Sequence, residues 1–262
     1  MFNTDITRII QDDKTWYRHV WTLAVQDQSW VEDTARQVEF LCAVLGITGK
    51  ERILDLACGY GRHALELGKR GCEVIGVDIT EAYIREAERQ AKAAGVRNEY
   101  VLKDVRELEY ADEFDIVLNM ADGAIGYLED DEENEKVFRI AAKALKRGGK
   151  HLIDINNAGY AKKHFPCRNW QFGSRSLALA DFTWDGERNL MYFGGIDFEY
   201  GKPAEKVTEL YCDPVRLYSL EELRGIYSKY GMRMTGSYGN FDASVPADDD
   251  IFQMQVVAVK AG

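Results

Sequence analysis

The stretch Arg52-Ile-Leu-Asp-Leu-Ala-Cys-Gly-Tyr-Gly-Arg62 decides the fold of this chain. Its first half contains Ile53, Leu54 and Leu56, the short apolar run of a strand that is buried on both faces. Gly59 and Gly61 then permit a tight turn and the close approach of a ligand before a helix begins. A strand, a glycine turn and a helix in this order predict a nucleotide-binding βα unit.

Asp55, near the end of that strand, distinguishes between the nucleotides that such a turn binds. The spacing Gly59-x-Gly61-x-x-Ala64 also fits the loose dinucleotide-binding pattern, so the glycines alone leave the ligand open. A pyrophosphate gains nothing from a neighbouring carboxylate, whereas a ligand that carries ammonium and sulfonium groups is stabilised by one. Asp55 therefore favours a cationic nucleoside.

Three more polar residues end short apolar strands further along the chain. Asp78 ends the second strand, 78 − 59 = 19 positions beyond Gly59, a distance at which an acid accepts hydrogen bonds from ribose hydroxyls. Asp104 ends the third strand and Asn119 the fourth. A strand-end acid can simply cap the next helix. Three acids in register, Asp55, Asp78 and Asp104, at the carboxyl edge of a parallel sheet instead indicate a binding site.

This series resembles the class I S-adenosylmethionine-dependent methyltransferases, whose first motif is similar to residues 54–61. The motifs GRHAL (61–65), RLYSLEEL (216–223) and YGNF (238–241) extend the resemblance, to a broad bacterial group of small-molecule methyltransferases, over most of the chain. In that family the acid at the position of Asp104 binds the adenine amino group, and the turn after the fourth strand lies beside the methyl acceptor. The resemblance implies S-adenosyl-L-methionine as cofactor, no metal, and cofactor-binding residues Tyr17, Asp55, Ala57, Gly59, Gly61, Asp78, Ile79, Asp104, Val105 and Asn119.

Strand pattern and resemblance together predict an α/β fold with a Rossmann-like, seven-stranded class I methyltransferase sheet. Residues 51–156 and 213–262 form the cofactor-binding domain, which closes with an antiparallel hairpin of 232–238 and 252–259. Short alternating segments separated by turn residues predict a small antiparallel β insertion at 157–212, after the fifth strand. The insertion is expected to cover the acceptor pocket with Trp170, Phe172, Trp184 and Tyr192.

Residues 1–50 are predicted to form a helical lid. An amphipathic pattern from Val31 to Leu45 predicts a helix that packs on the sheet. Ahead of it lies an aromatic cluster that either folds over the cofactor, with Tyr17 as the favoured lid residue, or packs on the sheet domain. The cluster comprises Trp16, Tyr17, Trp21 and Trp30.

The sequence does not identify a catalytic base. In-line methyl displacement can rest largely on alignment of the reactants, which contributes on the order of 7–11 kcal/mol in favourable cases. A base is needed only where the acceptor arrives protonated. His63 and His151 are predicted to be structural, on a helix and a strand respectively. The remaining candidates for a base are His19, His164, Glu199 and Tyr192.

Composition argues against several other classes of protein. The 262 residues, 46% of them hydrophobic, suffice for a full core, and the net charge of −11 argues against sequence-independent binding to nucleic acid. The five cysteines lack the close spacing of zinc sites and are expected to be reduced. The sequence shows no membrane span and no secretory signal pattern, so we expect a cytoplasmic protein.

The predicted function is methyl transfer from S-adenosyl-L-methionine to a small-molecule acceptor. Two alternatives stay open: an NAD(P)-dependent oxidoreductase, on the glycine spacing, and a non-catalytic S-adenosylmethionine-binding protein, on the absence of an evident base. The sequence leaves open which acceptor is used, whether nitrogen, oxygen or carbon is methylated, and the oligomeric state.

Overall fold

Two β-sheets and six α-helices make up the structure, a computed structural model that describes residues 6–28, 31 and 33–262. The α-helices are α1 (Thr34–Leu45), α2 (Arg62–Lys69), α3 (Glu81–Ala93), α4 (Asp131–Ala144), α5 (Ala158–His164) and α6 (Leu220–Lys229). The strands are β1 (Thr7–Ile10), β2 (Arg52–Leu56), β3 (Glu73–Asp78), β4 (Glu99–Leu102), β5 (Phe114–Asn119), β6 (Leu145–Asn156), β7 (Cys167–Phe172), β8 (Ser176–Asp185), β9 (Leu190–Glu199), β10 (Glu209–Arg216), β11 (Met232–Gly239), β12 (Asp242–Pro246) and β13 (Gln253–Lys260).

The main sheet has the strand order β12-β11-β13-β6-β5-β2-β3-β4. Strands β2 to β6 are mutually parallel, and β13 runs antiparallel to both β6 and β11. The predicted Rossmann-like sheet with a reversed terminal hairpin is therefore confirmed. It has eight strands rather than seven in the described part of the chain, because the short β12 pairs with β11 at the edge. The largely exposed sequence of β12 gives no alternating apolar signal.

Helices cover both faces of the main sheet, because successive residues of a buried strand point to opposite sides. Ile53 packs with α1 and α2 on one face, whereas Leu54 packs with α4 and α6 on the other. Full burial of one such side chain contributes about 1.5–3 kcal/mol, which explains why both Ile53 and Leu54 are apolar in a strand buried on both faces. None of the helices in the described ranges is long and apolar enough to cross a membrane.

The second sheet has the order β1-β10-β9-β8-β7, and its strands are antiparallel except for the β1–β10 pair. The inner face of this sheet, defined by Phe182, Met191 and Val215, packs into the core of the main domain. Strand β10 continues past residue 212, so the predicted boundary between 157–212 and 213–262 falls inside a strand.

The prediction of helical structure throughout residues 1–50 is wrong at β1, which pairs in parallel with β10. Four residues are too few to show a period, and their partner strand lies near the other end of the chain. Between β1 and α1 the described helical elements are two short 3-10 helices, Trp16–Arg18 and Leu23–Asp27. Trp30, part of the predicted aromatic cluster, lies outside the described residues.

Candidate cofactor and acceptor site

The glycine turn between β2 and α2 depends on left-handed backbone conformations. Gly59 and Gly61 have φ of +57° and +75°, and Ala57 also has a positive φ, of +54°. A Cβ at Gly61 would lie 2.8 Å from the ring of Tyr100 and 3.0 Å from the Cβ of Ala87, so neither the backbone nor the space admits a side chain. A Cβ at Gly59 would be in ordinary contact only, which leaves that position open on the ligand side.

Asp55 is a buried carboxyl without a partner. It is 1% exposed, and among the described residues neither of its side-chain oxygens has a hydrogen-bond partner. Burial raises the pKa of Asp55 to about 7; Arg62 opposes this rise and the charge of Asp78 adds to it. Since buried polar groups are nearly always hydrogen-bonded, an unpartnered carboxyl beside a glycine turn indicates a site for a donor from a ligand.

Asp78 joins the glycine turn to the start of α3. Its Oδ2 accepts a hydrogen bond from the Gly59 N–H at 2.9 Å, and its Oδ1 accepts one from the Thr80 N–H at 2.8 Å. Thr80 occupies the N-cap position of α3, but its own side chain makes no capping bond. Burial raises the pKa of Asp78, against the two backbone bonds. Each carboxylate oxygen has a further lone pair, so Asp78 can also accept hydrogen bonds from a ligand.

Asp104 is held by two arginines that the sequence did not lead us to expect. Its Oδ1 accepts hydrogen bonds from the backbone N–H and Nε of Arg106, at 3.0 and 2.9 Å. Its Oδ2 accepts bonds from Nη2 of Arg106 at 2.7 Å and from Nη2 of Arg18 at 2.8 Å. Burial alone would raise the pKa of Asp104, but the hydrogen bonds and charges of the arginines bring it below its ordinary value. The buried Val105 follows directly.

The N-terminal segment 15–22 crosses the carboxyl edge of the main sheet. The buried Tyr17 donates a hydrogen bond to Glu129 at 3.0 Å, and its hydroxyl accepts one from Arg106 at 3.2 Å. The ring of Trp21 stacks on Tyr127 with centroids 6.0 Å apart. The hydroxyl of Tyr83 donates to the Thr22 carbonyl at 3.0 Å. The segment therefore lies over the edge where the strand-end residues meet; its movement as a lid stays a prediction.

The loop after β5 contains a turn that the sequence did not reveal. Residues 121–124, the post-β5 turn, all have positive φ, between +51° and +69°, although only Gly123 is a glycine. Asn119, at the end of β5, donates from Nδ2 to the Gly123 carbonyl at 2.6 Å. Asp154 of β6 accepts a hydrogen bond from the Ala121 N–H at 3.0 Å through Oδ2, and its carbonyl accepts one from the Asp122 N–H at 2.7 Å.

Asp122 and Asp154 are two acids of this region that sequence reasoning missed. Burial raises the pKa of Asp122 to about 7, and the charge of Asp154 adds to the effect. Burial also raises the pKa of Asp154 to about 6, against hydrogen bonds from Gln255 and the Ala121 N–H. The hydroxyl of Tyr127 donates to Asp122 at 3.0 Å. The available signal was an acid three residues after the strand-end Asn119.

The predicted base candidates lie at the surface or on the second sheet. His19 is exposed, and His164 lies at the end of α5 with its Nε2 2.9 Å from Oδ1 of Asp250. Glu199 is exposed and pairs with Lys202 at 2.5 Å. Tyr192 pairs with Thr183, so it lies on the outer face of the second sheet, opposite Phe182.

Two of the aromatic residues predicted to cover the acceptor pocket are largely exposed, and their role there stays a prediction. Trp170 and Phe172 are 62% and 67% exposed, and their register partners Leu179 and Leu177 place them on the outer face with Tyr192. Only Trp184 of the predicted set is on the inner face, packed against the core. Alternation along a strand assigns residues to two faces, but the sequence alone does not show which face is covered.

The comparisons with known proteins agree with this geometry. A methyltransferase-domain family model matches residues 53–149. A protein of Geobacillus sp. (strain WCH70) that is named as a methyltransferase is 33% identical over 144 residues, 54% of this chain and 55% of that protein, so the chain matches little more than half of it. The glycine/sarcosine N-methyltransferase of Aphanothece halophytica is 24% identical over 87% of this chain and 83% of its own length.

The fold is shared with solved structures. An S-adenosylmethionine-dependent methyltransferase from Clostridium acetobutylicum ATCC 824 superposes with a TM-score of 0.72, covering 91% of this chain and 97% of its own, at 16% identity. The sequence match runs from β2 into the first part of β6 and includes Asp55, Asp78 and Asp104, and the structural match covers 91% of the chain. Residues 53–149 therefore match the methyltransferase-domain family, and the chain has the class I methyltransferase fold.

Proposed function

We propose that this chain transfers the methyl group of S-adenosyl-L-methionine to a small-molecule acceptor. The observation that carries the proposal is the unpartnered Asp55 carboxyl beside the glycine turn. An ammonium group placed there would supply both the missing donors and the countercharge, whereas a pyrophosphate would bring a second negative charge to a buried acid. The same observation weighs against the nicotinamide-dependent alternative.

The residues at the carboxyl edge fit the parts of the cofactor. Asp55 would hold the amino group, and the free lone pairs of Asp78 would accept the ribose hydroxyls. Asp104 would accept the adenine amino group only after Arg18 gives up its place on Oδ2. When bound, the cofactor supplies an electrophilic methyl group on a sulfonium centre. The chain's own part is to bind the cofactor, to align the acceptor and to exclude water. Alignment alone can supply a large part of the rate acceleration.

The post-β5 turn and the inner face of the second sheet are our proposed acceptor side. Asp122 and Asp154 lie there, Asp213 on the inner face is within electrostatic range of Tyr127, and Trp21 stacks on the Tyr127 ring. The name of the Aphanothece relative describes methylation of glycine and sarcosine, both small amines, which supports a small-molecule acceptor for this chain. The net charge of −11 is also unsuited to a nucleic-acid acceptor.

Calorimetric titration with S-adenosylhomocysteine tests the cofactor half of the proposal. We expect binding to one site per chain, no binding of NADH to the same sample, and a large loss of affinity in Asp55→Asn. A folded sample that binds NADH but not S-adenosylhomocysteine would contradict the proposal and restore the oxidoreductase alternative.

Transfer of label from methyl-tritiated S-adenosylmethionine tests the acceptor half. Separate pools of small amines, phenols and carboxylic acids serve as acceptors, and heat-denatured protein is the control. We expect labelled product from at least one pool. If S-adenosylhomocysteine binds and neither these pools nor a cell metabolite extract becomes labelled, the non-catalytic alternative replaces methyl transfer.

A further inference from the structure

A chain of buried hydrogen bonds links helix α6 to the post-β5 turn. The hydroxyl of Tyr227 lies 3.1 Å from Nδ1 of His151, and Nε2 of His151 lies 2.8 Å from Oδ1 of Asn119. Nδ2 of Asn119 donates to the Gly123 carbonyl at 2.6 Å. His151, Asn119 and Tyr227 are all fully buried, so these bonds have no water to compete with them.

The direction of every bond in this chain follows from its last member. Because a carbonyl only accepts, the Asn119 amide group must donate to Gly123, which leaves its Oδ1 to accept from His151. His151 therefore carries its proton on Nε2, and its Nδ1 accepts the Tyr227 hydroxyl proton. Burial lowers the pKa of His151 to about 3, so the ring is neutral at any physiological pH and this tautomer is kept.

The post-β5 turn, at the end of this chain of hydrogen bonds, has an energetically unfavourable backbone conformation. Three of its four left-handed residues, Ala121, Asp122 and Ala124, carry side chains. A residue in such a conformation costs on the order of 1–3 kcal/mol and persists only where its surroundings fix it. The Asn119 amide fixes the Gly123 carbonyl, and Asp154 fixes two amides of the same turn.

We propose that His151 and Tyr227 are positioning residues, which set the post-β5 turn for the methyl acceptor by orienting Asn119. The inference rests on the proposed function, which makes this turn one wall of the acceptor site. Both residues lie beyond 53–149, the stretch that matches the methyltransferase domain, whereas Asn119 and the post-β5 turn that they would orient lie inside it. The competing explanation is that the two side chains only stabilise the core.

The chain supplies a matched pair of tyrosines to separate these explanations. Tyr227 and Tyr218 are both buried, and both meet the ring of Phe138 edge-on, with centroids 5.5 and 6.0 Å away. The Tyr218 hydroxyl has no hydrogen-bond partner within the described residues, whereas that of Tyr227 bonds His151. Tyr227→Phe therefore removes the first bond of the chain, and Tyr218→Phe is a control of equal size and burial.

Two measurements report on this chain of hydrogen bonds and do not require a methyl acceptor. Imidazole ¹⁵N chemical shifts should report a single tautomer, with the proton on Nε2 of His151, in wild type and Tyr218→Phe. We expect a mixture in Tyr227→Phe. Amide hydrogen exchange in residues 120–127 should be about fivefold to tenfold faster in Tyr227→Phe, the effect of about one net hydrogen bond, and unchanged in Tyr218→Phe.

Substitution of His151 supplies a rescue test. His151→Gln keeps an amide donor for Asn119 and an acceptor for Tyr227, so we expect exchange in the turn close to wild type; His151→Leu should show fast exchange. Once an acceptor is known, its KM should rise in Tyr227→Phe with little change in S-adenosylhomocysteine affinity.

Equal exchange in the turn for Tyr227→Phe and Tyr218→Phe would overturn the proposal even if the His151 variants failed to fold. Failure of wild type to bind S-adenosylhomocysteine would instead remove the proposed function and leave the tautomer and exchange results standing, so the two failures are distinguishable.

Discussion

Replacing Asp55 by asparagine should stabilise the free protein while it weakens cofactor binding. Burial raises the pKa of this carboxyl from an ordinary 3.8 to about 7. Each unit of pKa difference between folded and unfolded states is about 1.4 kcal/mol, so ionised Asp55 costs the folded state on the order of 4 kcal/mol above pH 7. Asp55→Asn removes that charge at nearly constant shape.

The pH dependence of stability determines whether Asp55→Asn raises or lowers the unfolding free energy. Because the pKa of Asp55 is higher in the folded state, the folded chain binds more protons than the unfolded chain between about pH 4 and pH 7. The stability that protonated Asp55 provides is complete below about pH 4 and is lost as the pH rises through about 7. Relative to wild type, Asp55→Asn should therefore gain about 2–3 kcal/mol of unfolding free energy between pH 5 and pH 8.

Urea denaturation at pH 5 and pH 8 measures this difference, and Asp154→Asn is the matched control. Asp154 is also 1% exposed, but its oxygens accept hydrogen bonds from the Ala121 N–H, Gln253 and Gln255. Its replacement breaks a satisfied network and should lower the unfolding free energy by about 1–3 kcal/mol at pH 5. Because the pKa of Asp154 is raised only to about 6, its own gain between pH 5 and pH 8 is about 1–2 kcal/mol, smaller than that of Asp55.

Calorimetry in buffers of different ionisation enthalpy measures the ligand side of the same effect. At pH 7 about half of the Asp55 carboxyls are protonated, so binding of an ammonium group there should release roughly half a proton in wild type and much less in Asp55→Asn. The reasoning is refuted if Asp55→Asn is less stable than wild type at pH 8 and binds S-adenosylhomocysteine equally well.

Three further variants test other parts of the site. Arg18→Ala frees Oδ2 of Asp104 and removes a positive charge, so S-adenosylhomocysteine should bind up to about fivefold tighter by calorimetry, and weaker binding would show that Arg18 itself contacts the cofactor. Arg106→Gln leaves Asp104, Glu129 and Glu133 without their shared cation, and urea denaturation should show a loss of about 2–3 kcal/mol. His164→Ala should change the unfolding free energy by less than about 0.5 kcal/mol and leave cofactor affinity unchanged; a large loss of methyl transfer would return His164 to the list of bases.

The sequence predicted the cofactor half of the fold because local signals and tertiary position agree there. Ile53 and Leu54 are buried on opposite faces of one strand, so both positions are apolar, and the strain at Gly61 limits the residue types that fit. Asp78 was correctly placed at a strand end. Its bonds to the Gly59 and Thr80 amides show that a structural role and a binding role can share one carboxylate.

The features that the sequence did not reveal depend on contacts between distant segments. Strand β1 exists through its pairing with β10, and Arg18 reaches Asp104 only because the N-terminal segment crosses the sheet edge. Trp170 alternates with its neighbours in the way a pocket residue would, and only the packing of the second sheet shows that it faces outwards. The strain of the post-β5 turn has no local signal, since alanine and aspartate rarely adopt positive φ unaided.

The acids of the carboxyl edge divide into two groups by how their charge is balanced. Asp104, paired with Arg18 and Arg106, has a lowered pKa, whereas burial gives a raised pKa to the other four, Asp55, Asp78, Asp122 and Asp154. A protein gains nothing in stability from buried acids left in this state, so their cost points to charge that is supplied from outside. In the proposed function, the ammonium group of the cofactor would carry positive charge to Asp55. Asp122 already receives hydrogen bonds from the Tyr127 hydroxyl and the Asn156 N–H, so among these acids and within the described residues only Asp55 has both oxygens open to a donor from a ligand.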